Sequence, residues 1–155
     1  MSQLPIGNDA PDFELKNLDR QSRRLSDALR RGPVALVFYK SDCSTCQFTF
    51  PYLQKIFTGK QRTPSLRILG ISQDDDGETR KFAEQFGIGF ELLIDEHPYA
   101  VSSAYGFEFV PAIFIVEPDG KISLSDFGFR KSSLNRIAGL EMFTPDDGLP
   151  ASRPG

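Results

Sequence analysis

Two cysteines, Cys43 and Cys46, are the entire thiol content of this 155-residue chain, and only two residues part them. They lie in the stretch VFYKSDCSTCQFTFP, residues 37–51. An apolar run comes first, then a short polar break, the pair, and a segment with helical spacing. Such a pair can cycle between dithiol and disulfide, supply half of a metal site, or be two small buried neighbours. On one helical face, residues three apart hold their Cβ atoms about 5–6 Å apart. A disulfide wants them nearer 4 Å, so a modest adjustment of the first turn closes the bond. The loop so closed is tiny and removes little unfolded-chain entropy, which makes stapling a poor purpose for it. A helix N-terminus supplies a better one. Its unpaired N–H groups and macrodipole favour an anion, and a thiolate is that anion. Thiolate is also the attacking species in disulfide exchange. Cys43, at the loop–helix junction, is the expected nucleophile, and Cys46, one turn further in, the expected resolving thiol. Structural zinc takes four ligands, normally from two such pairs. This chain has one pair and a single histidine, His97, beside Pro98 at an expected helix start. No metal and no other cofactor is expected, and His97 reads as a surface residue.

The elements that must hold the pair follow from the pattern around it. Residues 34–39, VALVFY, form a continuous β-branched and aromatic run of the length of a strand buried on both faces. A helix is expected from about residue 44 to 57, with Phe48, Tyr52, Leu53, Ile56 and Phe57 on one face, Pro51 inside it and Gly59 closing it. Further strands are expected at 66–72, 90–95, 112–116 and 121–128, the last two joined by the EPDG turn. Helices are expected near 77–86, capped by Asp76 and stopped at Gly87, at 97–106 and at 131–143. Residues 10–29 read as a hairpin-like lead-in followed by a short helix opening at Ser26. The alternation implies parallel strands covered by helices, with the hairpin adding an antiparallel edge. In such sheets ligands sit at the carboxyl ends of the strands, where the cysteines follow residue 39. One domain spans 1–143, and the Pro-, Gly- and Asp-rich residues 144–155 read as a mobile tail.

The block FYKSDCSTCQFTFP resembles the thioredoxin superfamily, including the proline inside the helix, and YGFEFVPAIFIVEPDGKI, residues 105–122, resembles the segment where that superfamily places a cis-proline opposite its cysteines. The lead-in APDF and the stretch ILGISQDDDGETRKFAEQFGIGFELLID are similar to the redoxin branch. That branch includes TlpA-like oxidoreductases and the alkyl hydroperoxide reductase/thiol-specific antioxidant proteins. The resemblance covers about residues 5–143. It implies a three-layer α/β fold with a central mixed sheet, a C-terminal β-hairpin, helices on both faces and an N-terminal hairpin-like extension. It also implies a cis Pro111, a substrate chain paired to the backbone at Val110, and apolar contact from Tyr39 and Phe109. Modulating roles fall to Lys40, Asp42, Ser44 and Thr45. Asp42 stands where relatives usually carry Trp, and a neighbouring carboxylate opposes thiolate formation. Lys40 is expected to offset part of this. Ser44-Thr45 replaces the usual Gly-Pro. Val37 and Thr49 stand where relatives place a proton acceptor, leaving solvent, Lys40 or Asp42 to serve.

Three functions stay open on these residues: a thiol–disulfide oxidoreductase, a thiol peroxidase, and a redox-sensing binding module without turnover. For a peroxidase with Cys46 as its reactive thiol, the expected proline and threonine positions hold Tyr39 and Cys43, and only Arg130 offers itself as an activating arginine. Expected partners are protein or small-molecule thiols and disulfides, with peroxide as a further candidate. The net charge of −3 gives no reason to expect nucleic acid. Arg20, Arg23, Arg24, Arg30 and Arg31 are interspersed with Asp19 and Asp27 and read as a solvated face. No stretch approaches the roughly 18 apolar residues of a membrane span. The N-terminus does not read as a secretory signal, so a cytoplasmic location is expected.

Overall fold

A computed structural model describes residues 2–59, 66–139 and 143–155. Its centre is β3 (Val34–Tyr39), whose six residues are all buried. Alternate side chains point to opposite faces of a strand, so an uninterrupted apolar run needs cover on both sides. Ala35, Val37 and Tyr39 meet α2 (Ser44–Thr58), α3 (Asp76–Phe86) and α5 (Lys131–Ala138) through Phe50, Phe82 and Leu134. Val34, Leu36 and Phe38 face the other way, toward α1 (Leu25–Leu29) and α4 (Ala100–Tyr105) through Leu25, Leu29 and Tyr105. The result is three layers.

The sheet has seven strands in the order β2-β1-β5-β4-β3-β6-β7. β3 pairs in parallel with β4 (Arg67–Ser72), and β4 in parallel with β5 (Glu91–Ile94). β6 (Ala112–Val116) is antiparallel to β3 and forms a hairpin with β7 (Ile122–Phe127). The lead-in is a hairpin of β1 (Glu14–Asn17) and β2 (Ser22–Arg24), with β1 antiparallel to β5. Glu91 ties this hairpin down. It accepts bonds from Arg23 Nε at 3.0 Å, Arg67 at 2.7 Å and Asn17 Nδ2 at 2.9 Å. Arg20, Arg24 and Arg30 pair with Asp76, Glu14 and Asp27. Ahead of the hairpin, residues 4–10 run beside β7: Gly7 N–H donates to the Ile122 carbonyl, Ile122 N–H to Asn8, and Ala10 N–H to Gly120.

Several boundaries differ from the sequence expectation for local reasons. Asp75, not Asp76, caps α3. Its backbone is extended, and its carboxylate accepts the Glu78 N–H at 2.8 Å. Gly87 ends that helix with φ +63°, a left-handed conformation in which a Cβ is unfavourable. α4 begins at Ala100, after a cis His97-Pro98 bond. The buried Asp95 caps it from outside, accepting the Ser102 N–H at 2.8 Å and the Ser102 hydroxyl at 2.7 Å. His97 is exposed, its ring against Tyr99. α5 ends at Gly139, φ +74°. Residues 140–142 of the expected longer helix lie outside the described residues.

The last twelve residues, read from composition as a mobile tail, are placed against the body by specific contacts. Lys131 Nζ donates to the Thr144 carbonyl at 2.8 Å and pairs with Asp147. β9 (Ser152–Arg153) pairs antiparallel with β8 (Phe129–Arg130).

Candidate active site

The site assembles at the carboxyl end of β3. The chain leaves that strand at Tyr39, crosses Lys40–Asp42 and enters α2 at Ser44. Two side chains fix the crossing: Asp74, just past the parallel β4, accepts the Ser41 N–H at 2.7 Å, and Gln47 donates to the Ser41 carbonyl at 2.8 Å. Neither was singled out from sequence. The signal for Asp74 was available, because parallel neighbours bring their carboxyl ends together and QDDDGE follows β4 directly.

Cys43 is the N-cap of α2. Its backbone is extended, and its sulfur accepts the Cys46 N–H at 3.1 Å, the bond a capping oxygen normally takes. The thiol also lies 3.4 Å from the Val110 carbonyl, to which it donates when protonated. Cys46 is 0% exposed, whereas Cys43 is half-buried, and the two sulfurs are unbonded. The pair therefore divides into a reachable thiol and a sequestered one.

Electrostatics sharpens the division. The Cys43 pKa is lowered from 9.0 to about 6, first by a hydrogen bond from the Cys46 thiol. Backbone N–H groups of Cys46 and Thr45 add to this, while partial burial and the Asp42 carboxylate oppose it. The Cys46 thiol is pushed up, chiefly by burial and then by its bond to Cys43, with the main chain of Lys40 pulling the other way. Lys40, expected to offset Asp42 at Cys43, does not contribute there; only its main chain acts, and on Cys46. Asp42→Asn is expected to move the Cys43 titration to lower pH, because it removes a charge that disfavours the thiolate. The pH dependence of thiolate absorbance near 240 nm checks this; an unmoved or raised midpoint would contradict it.

Val110-Pro111 is a cis bond opposite the pair. The Pro111 carbonyl accepts the Gly128 N–H at 2.8 Å, which brings the β7–β8 turn to the same place. Two walls therefore meet at Cys43, the α2 N-terminus and the segment before Pro111, and Gly128 adjoins the second through Pro111. Phe109 is 50% exposed, its ring 5.6 Å from that of Phe127, itself 39% exposed, and the two form an apolar patch at the rim. On the other side of Val110 lies a cleft of about 270 Å³ lined by Lys40, Gln73, Tyr99, Phe107 and Glu108. Ser44 is exposed on the first turn, and Thr45 is 4% exposed, its hydroxyl donating to the Pro154 carbonyl at 2.6 Å.

Tyr39 must be corrected. Expected as an apolar contact for substrate, it is 0% exposed and packs on Phe50 and Phe82 with ring centroids 4.3 and 4.8 Å away. Its position in β3 turns it under α2 and α3, so it has no face to offer a ligand. Its hydroxyl is buried beside the Ser72 hydroxyl. The neighbouring Ser72 hydroxyl is engaged with Thr79 at 2.7 Å and with the Asp74 N–H at 3.0 Å.

Val37 and Thr49 are both fully buried, and the Thr49 hydroxyl donates to the Thr45 carbonyl at 2.7 Å. Neither provides a base for Cys46. Arg130 is paired with Asp126 at 3.1 Å. Among the described residues no group of three His, Cys, Asp or Glu could hold a metal ion, and no helix is long and apolar enough to cross a membrane.

A dithiol at a helix N-terminus, facing a cis-proline across a mixed sheet covered on both sides, defines a thioredoxin-like protein of the redoxin branch. Comparison narrows this: residues 6–125 match the AhpC/TSA family model, and the chain belongs to the AhpC/TSA family. A thiol-disulfide oxidoreductase ResA of Geobacillus thermodenitrificans (strain NG80-2) is 32% identical over 120 residues, which span 77% of this chain and 67% of that protein. Among solved structures, a putative thiol:disulfide interchange protein DsbE from Chlorobium tepidum superposes with TM-score 0.75 at 27% identity, covering 86% of this chain and 93% of that one. Peroxidoxin BcpB from Mycobacterium tuberculosis superposes with TM-score 0.68 at 26% identity, covering 86% and 91%.

Proposed function

We propose that this protein is a thiol–disulfide oxidoreductase whose working pair is Cys43 and Cys46, acting on protein disulfides and thiols. The observation that carries the reading is the sulfur of Cys43 serving as the cap of α2, half-buried and beside the Val110 carbonyl, with a pKa near 6. In the reducing direction the Cys43 thiolate attacks one sulfur of the partner disulfide. A mixed disulfide forms, and the other partner sulfur leaves as a thiolate that takes up a proton. Cys46 then loses its proton and attacks Cys43. The Cys43–Cys46 disulfide forms, and the second partner thiol is released. Two electrons pass to the partner, and its two sulfurs take up two protons, one given up by Cys46 and one from solvent. Once Cys43 is in the mixed disulfide it no longer carries charge, so its coulombic hold on the Cys46 proton disappears. The barrier to resolution therefore falls only after attack has occurred.

The AhpC/TSA match and the peroxidoxin neighbour leave the peroxidase reading as the rival. It needs Cys46 as a reachable thiolate. A sulfur with 0% exposure and a pKa raised by burial does not suit that chemistry. Reductant-dependent reduction of insulin disulfides by the wild type, lost in Cys43→Ser, is the expected result. Peroxide consumption without insulin reduction would replace this reading with the peroxidase. Equilibrium titration of the pair's potential sets the direction: about −270 mV marks a reductant and about −120 mV an oxidant.

A further inference from the structure

The chain's own segment 151–155 lies along the surfaces next to Cys43: the start of α2, Gly128 and Val110. Ala151 accepts the Lys131 N–H at 3.1 Å, and Ser152 and Arg153 pair with Arg130 and Phe129. The Arg153 guanidinium lies over the Phe48 ring, 4.9 Å from its centroid. The Arg153 carbonyl packs so closely on Gly128 that a Cβ there would come within 2.5 Å of it. Pro154 accepts from Thr45, one of the two residues between the cysteines, and Gly155 lies against Val110, where a Cβ would sit 2.4 Å from the carbonyl oxygen. The segment is an extended polypeptide that touches α2, Gly128 and Val110 in turn.

We propose that residues 151–155 hold the place of a substrate polypeptide in the groove beside the dithiol. A partner segment displaces them, with its backbone carbonyl on Thr45 and a basic side chain on Phe48. The proposal rests on the oxidoreductase reading for the identity of the partner. The fastening of the segment fits an occupant that exchanges. Its base is anchored, with Leu149 against the core and Asp147 on Lys131. Its tip is exposed apart from the half-buried Arg153 and is held by few bonds, which oppose the entropy of ordering five residues. Thr45 and Phe48 are thus positioning residues for a peptide, and Phe48 gives the groove a preference for Arg or Lys.

A variant ending at Pro150 tests this alongside the full chain. The first measurement is the rate at which Cys43 reacts with a bulky maleimide. The second is KM and kcat for insulin reduction. Removing a competing occupant raises the accessible fraction, so labelling is expected to accelerate and KM to fall by about fivefold each, with kcat little changed. The peptide LPASRPG added to the truncated protein should slow labelling again, and the same peptide with Glu in place of Arg should not. If truncation disturbs folding by circular dichroism, Arg153→Glu in the full chain makes the same test. Unchanged labelling, or a raised KM, would overturn the proposal and make the segment a fixed wall of the site. Faster labelling with no insulin reduction by either protein would uphold the tail's occupancy while removing the oxidoreductase reading.

Discussion

Cys46→Ser protein is expected to accumulate joined to its substrate through Cys43, with turnover reduced at least about a thousandfold. The two thiols do different jobs. Attack needs only the half-buried Cys43, whose thiolate is held by the first turn of α2. Release needs a second sulfur within reach, and among the described residues only Cys46 supplies one. A serine hydroxyl at that position fits the space but does not displace a disulfide. The mixed disulfide therefore persists and is visible as a reductant-sensitive adduct on a non-reducing gel. Cys43→Ser should be equally inactive and form no adduct, because the remaining thiol is fully enclosed. The double variant should be no worse than either single one, since the pair acts as a unit. An adduct with Cys43→Ser in place of Cys46→Ser would reverse the assignment of roles.

The second large effect is in pH. Reaction of Cys43 with iodoacetamide should rise through a midpoint near pH 6 and level off well below pH 9. At pH 7 a thiol of pKa about 6 is roughly nine-tenths thiolate, against about one-hundredth for an ordinary thiol near 9, a gain of about 90-fold. Intrinsic nucleophilicity falls with pKa and takes back about 15- to 30-fold, so the net advantage in attack is only a few-fold. The larger benefit lies in the second step, where Cys43 is the sulfur displaced by Cys46 and a weakly basic thiolate leaves faster. Stability follows the same titration. The folded-state pKa of Cys43 lies below its unfolded value, so its ionisation adds stability to the reduced protein as pH rises from about 6. The contribution is complete above about 9 and is lost as pH falls through about 6. Cys46 is shifted the other way and withdraws stability once the unfolded thiol begins to ionise, near 9. The urea midpoint of the reduced protein, followed from pH 5 to 9 against that of the Cys43–Cys46 disulfide form, measures the gain. A flat difference, or an alkylation midpoint above 8, would contradict the assigned pKa.

Much of this architecture could be read from residue order because the informative signals are local. A six-residue apolar run with no polar break requires cover on two sides, and β3 has it. Gly87 ends its helix where backbone handedness demands it, as its place in the sequence indicates, whereas Gly139 stops a helix expected to run on to 143. The cysteines sit on the first turn after that strand because the spacing leaves no other place for them. What stayed hidden depends on contacts between distant residues or on the choice between two equivalent faces. Tyr39 is an example: in a strand buried on both sides, nothing in the run says which face a given ring takes. The Asp95 cap on α4 is another, since the carboxylate precedes the helix by several residues across a turn. The bond from Thr45 to Pro154 joins residues 109 positions apart, and a composition of Pro, Gly and Asp gives no hint of it.

The run of residues 4–10 beside β7 has a consequence for how this protein behaves at high concentration. It takes up the amide and carbonyl of Ile122, at the start of the outermost strand on that side, while on the far side β2 is only three residues long and carries Arg23 and Arg24. Both borders of the sheet are thus poor templates on which a second molecule could stack strand against strand, which disfavours self-association by that route. Deleting residues 2–10 would uncover the start of that border and is expected to increase strand-to-strand self-association.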